Sequence, residues 1–147
     1  MDATIQKKDS LNVADFMTRN VFQIDMDTTV WEMSQIFQEH NFHHLVVMEE
    51  EALVGIISDR DVLRSVSPFI QTFSEQRRDR DTLNRKAHQI MTRHPVTIVE
   101  SESLFTAGQT MLNRRVSCLP VVDAHGKLCG IITSKDVIQA FVHQHNP

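Results

Sequence analysis

Two short stretches carry residue types that can act together on a ligand: Gly55-Ile56-Ile57-Ser58-Asp59-Arg60-Asp61 and Gly130-Ile131-Ile132-Thr133-Ser134-Lys135-Asp136. Each reads as a buried apolar strand that stops at a hydroxyl residue and turns into a helix. At that turn stand a hydroxyl (Ser58, Thr133), a cation (Arg60, Lys135) and a carboxylate (Asp61, Asp136). Backbone N–H groups at a helix start attract anions, and a basic side chain adds to that attraction. An ionised Asp is an acceptor suited to a pair of sugar hydroxyls. The chemistry indicated is a grip on ribose and phosphate, made in duplicate. A plainer reading stands beside it: Ser58 and Thr133 as N-caps, Asp61 and Asp136 as first-turn acids. The two roles are compatible.

The elements that must position these residues also come in two sets. Ser10 or Asn12 can cap a short helix over Val13–Met17, followed by a strand at Val21–Ile24. Thr28-Thr29, with Glu32 as a capping-box partner, opens a longer helix whose Val30, Met33, Ile36 and Phe37 share a face. Leu45–Met48 and Leu53–Ile57, joined by Glu49-Glu50-Glu51, form a hairpin, and a helix from Asp59 to Val66 closes the set. Pro68 ends it. Residues 69–86 are dense in charge, and a structureless loop of that length is uncommon, so some helix is expected around Phe69–Arg78. This segment reads as a solvated linker, with a partner contact or a lid near phosphate as the sharper alternative.

The pattern then restarts. Met91-Thr92-Arg93 repeats Met17-Thr18-Arg19, Ile98 falls on Ile24, and Leu119 and Val121 fall on Leu45 and Val47 at one constant offset. Ser101 or Ser103 starts the second long helix, with Leu104, Ala107 and Met111 facing inward. The turn Asp123-Ala124-His125-Gly126 is one residue longer than its counterpart, after which Leu128, Gly130, Asp136 and Val137 match Leu53, Gly55, Asp61 and Val62. The chain is an internal duplication. A single copy would bury too little surface to be stable alone, whereas two can pack their strand faces together as one pseudo-twofold module. Such packing creates two equivalent grooves, where ligands tend to bind.

Composition narrows the function classes. The 147 residues carry a net charge of −4, which argues against a general nucleic-acid or anionic-membrane binder. The N-terminus lacks an apolar signal core, and no run approaches the ~20 apolar residues of a membrane span. Cys118 and Cys129 lack metal-type spacing, and free thiols in a reducing cytoplasm fit them best. His40, His43 and His44 form a tempting cluster, but zinc needs three or four converging ligands. His43 and His44 enter a strand, where adjacent side chains point to opposite faces, so no metal is assigned. One of the pair facing a ligand cleft fits better. No nucleophile–base order, P-loop or metal motif recurs, and the chain reads as a non-enzyme.

Taken together, the Met-Thr pairs, the strand Leu119-Pro120-Val121-Val122-Asp123 and the duplicated Gly-Ile-Ile-(Ser/Thr)-x-(Arg/Lys)-Asp segments resemble the CBS-domain family. The similarity is to a stand-alone protein with a tandem pair, or Bateman module. The first copy departs somewhat, with Val46 where the second has Pro120 and Met48-Glu49 in place of Val122-Asp123. The resemblance implies an α/β fold: two pseudo-twofold-related β-α-β-β-α repeats packed through their sheets. Repeat 1 would span residues 10–68, the linker 69–86 and repeat 2 residues 87–143. It implies clefts that often hold AMP, ADP, ATP or S-adenosylmethionine as regulatory ligands, with no required cofactor. By the same resemblance Asp61 and Asp136 hold the ribose, and Ser58 and Thr133 contact phosphate, with Arg60 and Lys135 as its cations. His43 and His44, and Ser117 and Cys118, line the clefts, and the backbone near Val21 and Val96 lies by the adenine. The family also suggests a homodimer, and the leading expectation is a cytoplasmic regulatory module that reports ligand occupancy to a regulated protein. A ligand-free dimerisation or interaction module is the alternative from a different class, and an enzyme acting on nucleotides is a weaker one.

Overall fold

A computed structural model of the chain describes residues 11–144. The polar stretch 1–9, Ser10 as a cap, and His145 therefore lie outside the described residues. In chain order the elements are α1 (Val13–Phe16), β1 (Gln23–Asp25), α2 (Val30–Glu39), β2 (His44–Glu49), β3 (Ala52–Ser58) and α3 (Asp59–Ser65). There follow α4 (Arg77–Asp81), a 3-10 turn at Thr82–Asn84, α5 (Ala87–Ile90), β4 (Thr92–Arg93) and β5 (Ile98–Val99). The chain closes with α6 (Leu104–Arg114), β6 (Cys118–Val122), β7 (Leu128–Thr133) and α7 (Ser134–Gln144). It is a mixed α/β fold with one sheet ordered β1-β2-β3-β4 and another ordered β5-β6-β7. Among the described residues no helix is long and apolar enough to cross a membrane.

The expected local signals are realised. Thr29 caps α2 through a reciprocal box with Glu32, whose carboxylate accepts from the Thr29 N–H at 2.7 Å. Val30 and Met33 of that helix are fully buried, with Ile36 and Phe37 packed beside them. Leu45, Val47 and Ile57 complete this core, and Leu104, Ala107, Met111, Leu119, Val121 and Ile132 are its counterparts in the other. Each fully buried aliphatic side chain contributes about 1.5–3 kcal/mol. In both hairpins the register slips at the same place, between Val47 and Met48 and between Val121 and Val122. A bulge there bends the strand and adds local twist. The first hairpin turns through Glu50 at φ 53°, whereas the longer second one uses Gly126 at φ 80°. Only the second meets the positive φ with the residue that adopts it without cost.

The chain forms two compact units: Phe22–His94, here the first, and a second made of the chain up to Val21 and from Pro95 on. These units are not the two sequence repeats. In the second unit, α1 belongs with the later copy: Val13 N–H donates to Glu102 O at 2.9 Å and Leu104 N–H to Leu11 O at 2.8 Å. Thr18 and Ile131 exchange both backbone bonds, each 2.9 Å. In the first unit α5 does the same for the earlier copy, with Ala87 N–H on Thr28 O and Val30 N–H on Arg85 O, both 2.8 Å. Strand β4 pairs Thr92 with Ile56 and Arg93 with Gly55. Each copy thus lends its opening helix and Met-Thr pair to the other.

The glycine that opens each motif is explained by this exchange. A Cβ on Gly130 would lie 2.6 Å from Met17 Sδ and 3.0 Å from the Thr18 carbonyl oxygen. A Cβ on Gly55 would overlap Met91 Sδ. The Met of one copy occupies the space that the glycine of the other leaves open.

The linker corrects one expectation. Its helix begins at Arg77 rather than near Phe69, and turns precede it, with Gln71 at φ 61°. The organiser is Asp79, which is buried. Its carboxylate accepts from Ser67 Oγ at 2.7 Å and from the Gln76 N–H at 2.7 Å. Those bonds fix where the helix starts and tie the segment back to the end of the first copy. Glu75 and Arg80 pair beside it.

Candidate functional site

In the first unit β3 ends at Ser58, the N-cap of α3. The Ser58 N–H and Oγ donate to Asp61 Oδ2 at 2.8 and 2.9 Å, and the Asp61 N–H donates to Ser58 Oγ at 3.2 Å. The capping reading of both residues is therefore realised, a local contribution of about 1 kcal/mol. Both bonds to the carboxylate use Oδ2. Among the described residues Oδ1 of this half-buried carboxylate accepts none, so it keeps capacity for a ligand hydroxyl.

Strand β2 and the residue just before it bring two histidines to the same place. His44 stands opposite Ser58 in the register, and the His43 carbonyl accepts the Asp59 N–H at 3.0 Å. His43 Nδ1 lies 2.8 Å from Asp59 Oδ2, with the imidazole 72% exposed. His44 is half-buried, and burial pulls its pKa below the ordinary histidine value. Asp59 and Asp61 oppose that shift, while His43 and Arg60 reinforce it. Arg60 is exposed and forms no ion pair among the described residues. The clustered histidines have separate partners in this geometry. His43 is engaged by Asp59, while His40 holds the Ile36 carbonyl at 2.9 Å through Nδ1 and stacks on Phe42. Among the described residues no three His, Cys, Asp or Glu side chains are grouped to hold a metal ion.

The second unit repeats the construction. Thr133 N–H and Oγ1 donate to Asp136 Oδ2 at 2.8 and 2.9 Å, and the Asp136 N–H reaches Thr133 Oγ1 at 3.4 Å. Cys118 stands opposite Thr133, and the Ser117 carbonyl accepts the Ser134 N–H at 2.8 Å. Burial, with the nearby charge of Asp136, pushes the Cys118 thiol up to about 12. It stays protonated and unreactive at neutral pH. Lys135 is exposed.

The candidate residues thus fall into two groups. Ser58, Arg60, Asp61, His43 and His44 belong to the first unit, and Thr133, Lys135, Asp136, Ser117 and Cys118 to the second. Val21 and Val96 both belong to the second unit, where Val96 packs against the core. Sequence reasoning passed over Asp59, the partner of His43, because Ser134 replaces it in the other copy and breaks the duplicated pattern. It also missed the Met–Gly interlocks. Their signal was present, since both Met-Thr pairs and both glycines repeat.

Comparison with known proteins agrees with this construction. The CBS domain profile matches residues 13–68 and 87–143. A CBS domain-containing protein of Dictyostelium discoideum is 32% identical over 137 residues, covering 92% of this chain and 94% of its own length. The crystal structure of CBSX2 in complex with AMP superposes with a TM-score of 0.75 at 30% identity, over 93% of this chain and 100% of that one. The CBS domain pair of protein MJ0100, in complex with 5'-methylthioadenosine and S-adenosyl-L-methionine, gives 0.74 at 26% identity, over 90% and 97% of the two chains. Other curated relatives are longer, and this chain spans 46% and 47% of two of them. With two matched segments inside one α/β chain, the protein belongs to the CBS-domain family and carries a tandem pair of its domains.

Proposed function

We propose that the protein is a non-catalytic regulatory module that binds adenosyl ligands at its two motif copies and reports their occupancy to a partner protein. The observation that carries this reading is the duplicated turn in which Asp61 and Asp136 each keep one carboxylate oxygen out of the capping box. Similarity to a protein solved with AMP, at 30% identity over nearly the whole chain, supports the ligand class. AMP, ADP, ATP and S-adenosylmethionine are the candidates. In this reading the free oxygens of Asp61 and Asp136 take the ribose hydroxyls. Ser58 and Thr133, with Arg60 and Lys135, meet phosphate. His43 and His44, or Ser117 and Cys118, flank the ligand, with the Val21 and Val96 backbones near adenine. A ligand that binds the folded state alone stabilises it by mass action. Denaturing mass spectrometry of the purified protein, followed by a thermal-shift panel with the four ligands, tests the reading. Co-purified nucleotide, or a shift of several degrees lost in Asp61→Ala or Asp136→Ala, supports it. Neither signal with any ligand refutes it.

A second reading, association without ligand, has its own observation. Trp31 and Leu63 are 50% and 74% exposed, and their counterparts Phe105 and Ile138 are 55% and 62% exposed. Large apolar side chains left bare at equivalent positions of both copies favour a homodimer through these helices. A cleft of about 400 Å³ beside Trp31 and Leu63, with Val66, Ile70 and Leu83 in its wall, extends that surface onto the linker. Light scattering decides: a dimeric mass that Leu63→Glu with Ile138→Glu converts to a monomer supports it, and a monomeric wild type rejects it.

A further inference from the structure

The two copies differ at the residue facing the motif hydroxyl. Opposite Ser58 stands His44, and opposite Thr133 stands Cys118. The first copy also has His43 for Ser117 and Asp59 for Ser134, and these two extra groups are joined to each other. The charged groups acting on His44 are His43, just before its strand, and Asp59, Arg60 and Asp61 on the facing helix. Leaving the two imidazoles aside, the two carboxylates outnumber Arg60 by one charge. In the second copy Lys135 and Asp136 cancel, and Cys118 does not titrate near neutrality.

Burial disfavours the charged form of the His44 ring in the free protein. A phosphate dianion brought between Arg60 and the imidazole supplies the opposite charge that favours the protonated ring. An uncharged ligand supplies nothing of the kind. Resting on the adenosyl-binding reading above, we propose that His44 makes the first site prefer a phosphorylated adenosyl ligand and takes up a proton as that ligand binds, while Cys118 leaves the second site without proton exchange. Because binding takes up a proton, affinity at the first site rises as pH falls toward the titration range of the ring.

The test is isothermal titration with AMP and with adenosine, near pH 7.5 and near pH 6, each in two buffers of different ionisation heat. AMP is expected to give a heat that depends on the buffer, and adenosine one that does not. The second ionisation of the phosphate, at about pH 6, is common to wild type and His44→Gln, so the difference between the proteins isolates the ring. Wild-type affinity for AMP relative to the variant should rise about threefold or more from the higher to the lower pH. A ratio that stays constant overturns the proposal and leaves adenosyl binding intact. If neither AMP nor adenosine binds at either pH, this proposal falls, and the adenosyl-binding reading falls with it only if ADP, ATP and S-adenosylmethionine also fail to bind. Should His44→Gln fail to fold, the wild-type buffer comparison near pH 7.5, where the phosphate is already ionised, decides alone.

Discussion

At the scale of single residues, Asp61 and Asp136 are proposed to hold two duties on two oxygens. One oxygen closes the capping box with Ser58 or Thr133, and the other remains an acceptor. The duties can be separated by measurement. Asp136→Ala should lower ligand-free stability by about 1 kcal/mol in a urea titration, through loss of the box alone. Thr133→Ala should cost a similar amount while leaving the carboxylate in place, so a ligand effect confined to the aspartate variant marks the second duty. The sequence showed these residues and their spacing because the pattern occurs twice. It could not show which oxygen is used, which depends on the rotamer that the box selects. His44 was equally open: strand alternation said that one of His43 and His44 faces inward, and only the register with Ser58 says which.

At the scale of elements, the interlock of Met17 with Gly130 joins pieces distant in sequence. Gly130→Ala should cost about 1–3 kcal/mol, since an added methyl meets a side chain and a backbone carbonyl at once. In a Met17→Ala background the same change should cost less, and a double-mutant cycle by denaturant unfolding reads the difference. Strictly additive costs would mean that the methionine and glycine do not share this space. The linker offers a pH test. The Ser67 hydroxyl, then the Gln76 N–H, hold the Asp79 carboxyl below the usual carboxylate range. Its contribution to stability is therefore complete above the unfolded value of about 3.9 and is lost as pH falls through the lower folded value. Asp79→Asn should flatten the stability profile on that acid side, as followed by thermal melts across pH. The sequence hid this role, because one buried acid among Glu75, Asp79 and Asp81 looks like any other member of a charge run.

At the scale of the whole molecule, the duplication was legible from the repeated Met-Thr-Arg and Gly-Ile-Ile segments, and with it the α/β class and most element positions. The exchange of opening helices was not, because a repeat read along the chain keeps neighbours in sequence together. Sequence periodicity carries no information on which copy of a strand a Met-Thr pair adjoins. The consequence is measurable with fragments: residues 22–94 should unfold cooperatively by circular dichroism. Residues 10–68 lack α5 and β4, leave the space beside Gly55 unfilled, and should not. The central claim concerns what the two copies hold. Isothermal titration of AMP, ADP, ATP and S-adenosylmethionine into wild type and into the Asp61→Ala/Asp136→Ala double variant, checked for folding by circular dichroism, tests it most directly. Saturable heat with at least one ligand, weakened tenfold or more (about 1.4 kcal/mol) in the double variant, is the predicted result; no heat with all four, or affinity unchanged in the folded double variant, would contradict it.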